Sequence, residues 1–141
     1  MTHSAALGML AACMKFVEEN NLPPVHIVIA SRHGQILASL AMDDAYFLSC
    51  ETARNKALTA ASHRIDTTRL PATIARELAV ASGGKITPMA GGLPIWYQGE
   101  CIGGVGIGGA SDDEDIAIAL HGIEAIQARA TLTESLAVRI A

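Results

Sequence analysis

Cys101-Ile102-Gly103-Gly104-Val105-Gly106-Ile107-Gly108-Gly109 alternates apolar residues with glycines and runs straight toward Ser111, a helix-capping residue. As an extended strand it sends Val105 and Ile107 to one face and leaves Gly104, Gly106 and Gly108 as bare backbone on the other. Such a surface invites close approach by a helix, for which an alanine-rich segment is the candidate, or by a flat ligand. Gly104 to Gly109 also matches G-x-G-x-x-G, but too little of the 141-residue chain follows it for a full crossover. Asp112, Asp113 and Glu114 moreover crowd the helix N-terminus where a pyrophosphate would sit and would repel it, which argues against a dinucleotide site.

Outward from this strand, Leu93 to Tyr97 pairs with it across Gln98-Gly99-Glu100, and Ile86 to Met89 is a short strand before Gly91-Gly92. Val25 to Ala30 and Gln35 to Met42 form an earlier hairpin around Ser31-Arg32-His33-Gly34. A first helix runs from Ser4 to about Asn20 on the stripe Ala6, Met9, Leu10, Cys13, Phe16 and Val17. A second covers about Ala45 to Ser62, with Ala53, Ala57, Ala60 and Ala61 at close-packing spacing. Asp66-Thr67-Thr68 caps a third, with Pro71 in its first turn and Ile74 and Leu78 on its buried face. Ser111 and Glu114 form a capping box for a fourth, whose Ile116, Leu120 and Ile123 share a face, and Thr131 with Glu134 repeats the signal for a short terminal helix. Helices lie before, between and after two hairpins, so the order is that of one α/β domain of the α+β type spanning 1–141. Its sheet is mainly antiparallel and flanked by helices, with 129–141 a terminal helical extension.

Half the residues are apolar and 17% are charged, which excludes disorder and leaves few charges to cover a monomer, so some apolar surface is expected to be shared between subunits. A formal charge of -4, with singly scattered Lys and Arg, gives no footprint for nucleic acid or an anionic membrane. Cys13, Cys50 and Cys101 are odd in number and far apart, as suits reduced thiols. Met1-Thr2-His3-Ser4 lacks a basic n-region and no stretch approaches bilayer-spanning length, so a cytoplasmic location is expected.

The sequence displays no catalytic constellation. His3, His26, His33, His63 and His121 have no metal-site spacing, although His26 on a strand and His33 in a turn are each open to a ligand role or to a structural one. Ser111 reads as a cap and Cys101 as a small strand residue. Lys56, among alanines, either snorkels to solvent or points inward to a ligand carboxylate or to Asp115. The inward form would support a small-molecule enzyme if the pair lined a pocket.

Ala53-Arg54-Asn55-Lys56-Ala57-Leu58-Thr59-Ala60, Gly91-Gly92-Leu93-Pro94-Ile95, and then Gly99, Gly103, Gly106, Gly109 and Asp115 resemble the GlcG/HbpS family from Thr2 to about Ala128. That family includes the C-terminal domain of PduO-type corrinoid adenosyltransferases. The chain departs from its pattern at Ser31, Ala41 and Ile107-Gly108-Gly109. The resemblance implies a central antiparallel sheet of about five strands, profilin- or PAS-like, and homo-oligomers, tetramers or octamers. It also implies binding of haem or a related tetrapyrrole as the leading function. The expected ligand contacts are Lys56, Gly91, Gly92, Pro94, Gly104, Gly106, Gly108 and Asp115, with no metal ligand assigned. The alternative implied is an accessory or assembly protein that partners enzymes of corrinoid-dependent diol or glycerol metabolism.

Overall fold

The computed structural model describes residues 1–129 in full and carries the backbone of the last helix to Ile140. Where a separate short helix from Thr131 is expected, the backbone instead continues α4 without a break, while the side chains of 130–141, and the contacts expected of them, lie outside the described residues. The elements are α1 (His3–Glu19), β1 (His26–Ser31), β2 (Ile36–Ala41), α2 (Ser49–His63), a 3-10 turn (Thr67–Arg69), α3 (Ala72–Ala81), β3 (Gly92–Tyr97), β4 (Glu100–Gly108) and α4 (Asp112–Ile140). The strands form one antiparallel sheet in the order β2-β1-β4-β3.

Helices cover both faces of the sheet, and strand alternation decides what each face receives. Ile27 and Ile29 of β1 join Val105 and Ile107 of β4 in a core with Met9, Cys13 and Val17 of α1 and Ile118 and Ile123 of α4. Val28 and Ala30 turn the other way and pack with Ala53 and Ala57 of α2. Thr2 caps α1 by accepting from the Ala5 N–H at 3.1 Å. Ser111 and Glu114 close the expected capping box, with Ser111 N–H to Glu114 Oε1 at 3.0 Å and Glu114 N–H to Ser111 Oγ at 3.3 Å.

Four expectations are corrected. The sheet has four strands, not about five: at 86–89 the Ile86, Thr87 and Met89 N–H groups donate to Ser82 Oγ, Thr59 Oγ1 and Thr87 Oγ1, and Pro88 has no donor. No donor of that segment is left for a ladder. The second helix begins at Ser49 rather than near Ala45, because two successive turns, closed by Ala45 N–H to the Met42 carbonyl and Ser49 N–H to the Tyr46 carbonyl, precede it and leave Tyr46, Phe47 and Leu48 exposed. Asp66 caps the 3-10 turn rather than α3, Pro71 is the N-cap of α3, and Ala75 is its buried residue while Ile74 is exposed. On α4 the buried face is Asp115, Ile118, Ala119 and Ile123, and Leu120 points outward.

Candidate functional site

The bare face of β4 receives α2. A Cβ at Gly106 would press on the Ala53 carbonyl oxygen, one at Gly104 would lie 2.8 Å from Ala61 N, and one at Gly108 2.7 Å from Thr52 Oγ1. Of the two readings of the glycine strip, close packing of the alanine-rich helix is therefore the one realised. Gly104, Gly106 and Gly108 face helix backbone and present no open slot for a flat ring. Pro94 sits opposite Gly104 on β3, an edge strand where a missing N–H is tolerated.

The same helix face carries Lys56, three residues after Ala53 and four before Ala60, and this spacing turns it inward. Its Nζ donates to the Ile107 carbonyl at 2.7 Å and to Asp115 Oδ2 at 3.1 Å, while Asp115 Oδ1 accepts from the Ala110 N–H at 3.1 Å. The ion pair is almost fully buried. Burial pushes the Asp115 carboxyl above the usual carboxylate range, against the pull of the Lys56 ammonium and the Ala110 N–H. Gly91, at φ +110, bends around the pair: a Cβ there would lie 2.9 Å from Asp115 Cβ and 3.3 Å from Lys56 Nζ. Gly92 lies against the Lys56 carbonyl, and its N–H donates to Thr67 Oγ1 at 3.1 Å. Lys56, Gly91, Gly92 and Asp115 are thus brought together, as an interior latch joining α2, β4 and α4. None of them lines either of the two cavities described next, so the pocket required for an enzyme centred on this pair does not coincide with it.

The larger cavity opens at the end of the sheet where both hairpins turn and α2 ends. It has a volume of about 760 Å³ and is walled by Arg32 and His33, by Leu58, Ala61, Ser62 and Arg64, and by Trp96, Glu100 and Cys101. Arg32 Nη1 meets Glu100 Oε2 across its mouth at 3.3 Å. At the opposite end, a cavity of about 280 Å³ lies between Pro23, Pro24, Tyr46 and Ala110. Of the large cleft's residues, His33 is the one that the sequence leaves open to a ligand role. The first hairpin turn, the C-terminal half of α2 and the β3–β4 hairpin supply the others, and no spacing along the chain could have joined them. Two other histidines are engaged differently: His26 Nε2 contacts the Tyr46 carbonyl at 3.1 Å, which makes it a bonded strand residue, and His121 stacks on Phe16 at 4.6 Å, whereas the buried Nδ1 of His63 has no hydrogen-bond partner among the described residues. Among the described residues no three His, Cys, Asp or Glu side chains gather as a metal site, and no helix is long and apolar enough to cross a membrane.

Residues 1–124 match the family model of the haem degrading protein HbpS-like family. The chain is 35% identical over 108 residues to the corrinoid adenosyltransferase PduO of Salmonella typhimurium, covering 73% of this chain and 32% of that protein. It spans about a third of that relative's length. Among solved structures it is similar to the Klebsiella pneumoniae protein ORFY, with TM-score 0.82, 28% identity and 91% of each chain covered. It is also similar to a PduOC:heme complex, with TM-score 0.81, 28% identity and coverage of 89% of this chain and 94% of that one.

Proposed function

We propose that this chain, which belongs to the HbpS-like family, is a binding protein for haem or a closely related tetrapyrrole. The observation that carries the proposal is the division of its interior. The glycine strip and the Lys56–Asp115 latch are filled by the chain itself, while one cleft of about 760 Å³, within the usual range for small-molecule sites, stays open. That cleft joins an aromatic wall and aliphatic side chains to guanidinium and imidazole groups, the combination a flat, carboxylate-bearing, metal-centred ring requires. The likeness to a relative in complex with haem supports the same reading. Bound haem would supply a redox-active iron, and the residues of the chain would hold the ring and exclude water from it. Haemin titrated into the purified apo-protein should give a saturable Soret change at a stoichiometric ratio. Absorbance that rises linearly without saturation overturns the proposal.

A second reading rests on the 35% identity to a corrinoid adenosyltransferase, of which this chain matches about a third. In that reading the protein assists enzymes of corrinoid-dependent diol or glycerol metabolism in the cytoplasm. Affinity capture from cells growing on such substrates should recover a dehydratase, reactivase or adenosyltransferase, and capture of none of them removes this reading. In either role the protein acts as a homo-oligomer, supported by the contiguous exposure of Tyr46, Phe47 and Leu48.

A further inference from the structure

We infer that the cleft at the turn end of the sheet is the seat of the ring, with Arg32 and Arg64 pairing its carboxylates, Trp96 and Leu58 packing on its face, and His33 meeting its metal. The inference rests on the haem-binding reading above and adds to it a place and named contacts that lie away from Lys56, Asp115 and the glycine strip.

Charge singles out this cleft first. The chain as a whole is at -4, yet the lining holds Arg32 and Arg64 against Glu100 alone, two positive groups and one negative. Because α2 ends here, its partial negative pole would repel a bare anion, and the two guanidinium groups reverse that sign. Arg64 is the C-cap itself, at φ 59, and has no side-chain partner among the described residues. Among the described residues the Arg32 side chain pairs with Glu100 alone, and the two side chains are 52% and 73% exposed. Exposed pairs of this kind contribute little, so an incoming carboxylate can take the place of Glu100 in a bidentate contact.

Preorganisation is the second ground. Ser31 Oγ accepts from the N–H groups of His33 and Gln35, both at 3.2 Å, and the Arg32 N–H donates to the Ile102 carbonyl at 3.1 Å. The turn that carries Arg32 and His33 is thereby fixed to β4 before any ligand arrives, which limits the entropy lost on binding. Trp96, the single tryptophan, is 45% exposed on the facing hairpin, an unusual position for so large an apolar side chain without an occupant. His33 is the only histidine lining either cavity, and a neutral imidazole is a suitable donor to iron.

Haemin binding and absorption spectra of four proteins test this: the wild type, Arg32→Ala/Arg64→Ala, His33→Ala, and Pro23→Ala at the far cavity as a control. Circular dichroism confirms that each is folded. The double arginine variant should bind at least about tenfold more weakly, as expected for the loss of charge-assisted contacts. His33→Ala should shift the Soret and visible bands of the haemin complex while leaving the affinity for metal-free protoporphyrin unchanged, and Pro23→Ala should behave as wild type. If the wild type saturates but the arginine and histidine variants keep its affinity and spectrum, the seat is elsewhere and the haem reading survives. An unchanged His33→Ala spectrum alone removes His33 from the metal. Absence of saturable binding to the wild type overturns the reading and the seat together.

Discussion

Glu114 and Asp115 are adjacent carboxylates whose protons are governed by opposite physics. Glu114 accepts from the Ser111 N–H at the helix start, which lowers its pKa from the ordinary 4.5, whereas burial raises that of Asp115 from 3.8. Carboxyl NMR titration should find Glu114 below and Asp115 above those values. Linkage then gives the two groups opposite signs. Stability from Glu114 is present above 4.5 and lost as pH falls through its lowered native value. For Asp115 the native form holds its proton more tightly, so its contribution is fully present below 3.8 and declines as pH rises through the raised native value. Urea unfolding of wild type against Asp115→Asn across this window should show the stability difference shrinking as pH rises. Lys56→Met leaves a buried carboxylate without its cation and should destabilise by about 3–5 kcal/mol near neutral pH, and a second change, Asp115→Leu, should recover most of that loss in urea melts. Gly106→Ala drives a methyl group into the backbone of α2 and should destabilise by about 3 kcal/mol. Ser31, at a departure from the family pattern, still closes its turn through Oγ.

Elements differ in how firmly the chain holds them. α2 is clamped by the glycine strip, by Lys56, and by Thr59, which donates to the Lys85 carbonyl at 3.1 Å and accepts from the Thr87 N–H at 3.1 Å. α3 has ten residues, no side-chain N-cap, exposed Ile74 and Val80, and hardly any packing against the other helices and strands. A helix this short is marginal in water without tertiary support. Hydrogen exchange monitored by NMR should therefore find the amides of α3 exchanging at least about tenfold faster than those in the middle of α2 and β4. Comparable protection in all three would contradict this account. The weak packing also explains why apolar spacing misplaced the buried face of α3, since propensity and pattern say where a helix can form and not what will cover it.

At the scale of the molecule, two helical layers close around the sheet and leave apolar side chains outside it. Tyr46, Phe47 and Leu48 are 76%, 82% and 65% exposed in one run at the end opposite the large cleft. The self-association proposed above predicts a light-scattering mass several-fold above 14.7 kDa at micromolar concentration. Tyr46→Ser/Phe47→Ser should shift it toward the monomer, whereas a wild type that is monomeric across that range would contradict the proposal. The cleft lies at the other end of the sheet, so disassembly by this double substitution should leave haemin binding in place.

Local repeats in the chain determined most of the architecture: the period-2 alternation around Val105 and Ile107, the alanine spacing of α2, and the Ser111–Glu114 cap all foretold what formed, because each acts between residues close in sequence. The inward course of Lys56, which the sequence left open, became fixed only when the alanine stripe packed on β4. The tertiary structure alone decided three further things. It chose the helix over a ligand for the glycine strip, it drew the donors of 86–89 away from the sheet, and it brought Arg32, Arg64 and Trp96 to one cleft. Each outcome depends on which distant groups meet, and spacing along a chain carries no record of that distance.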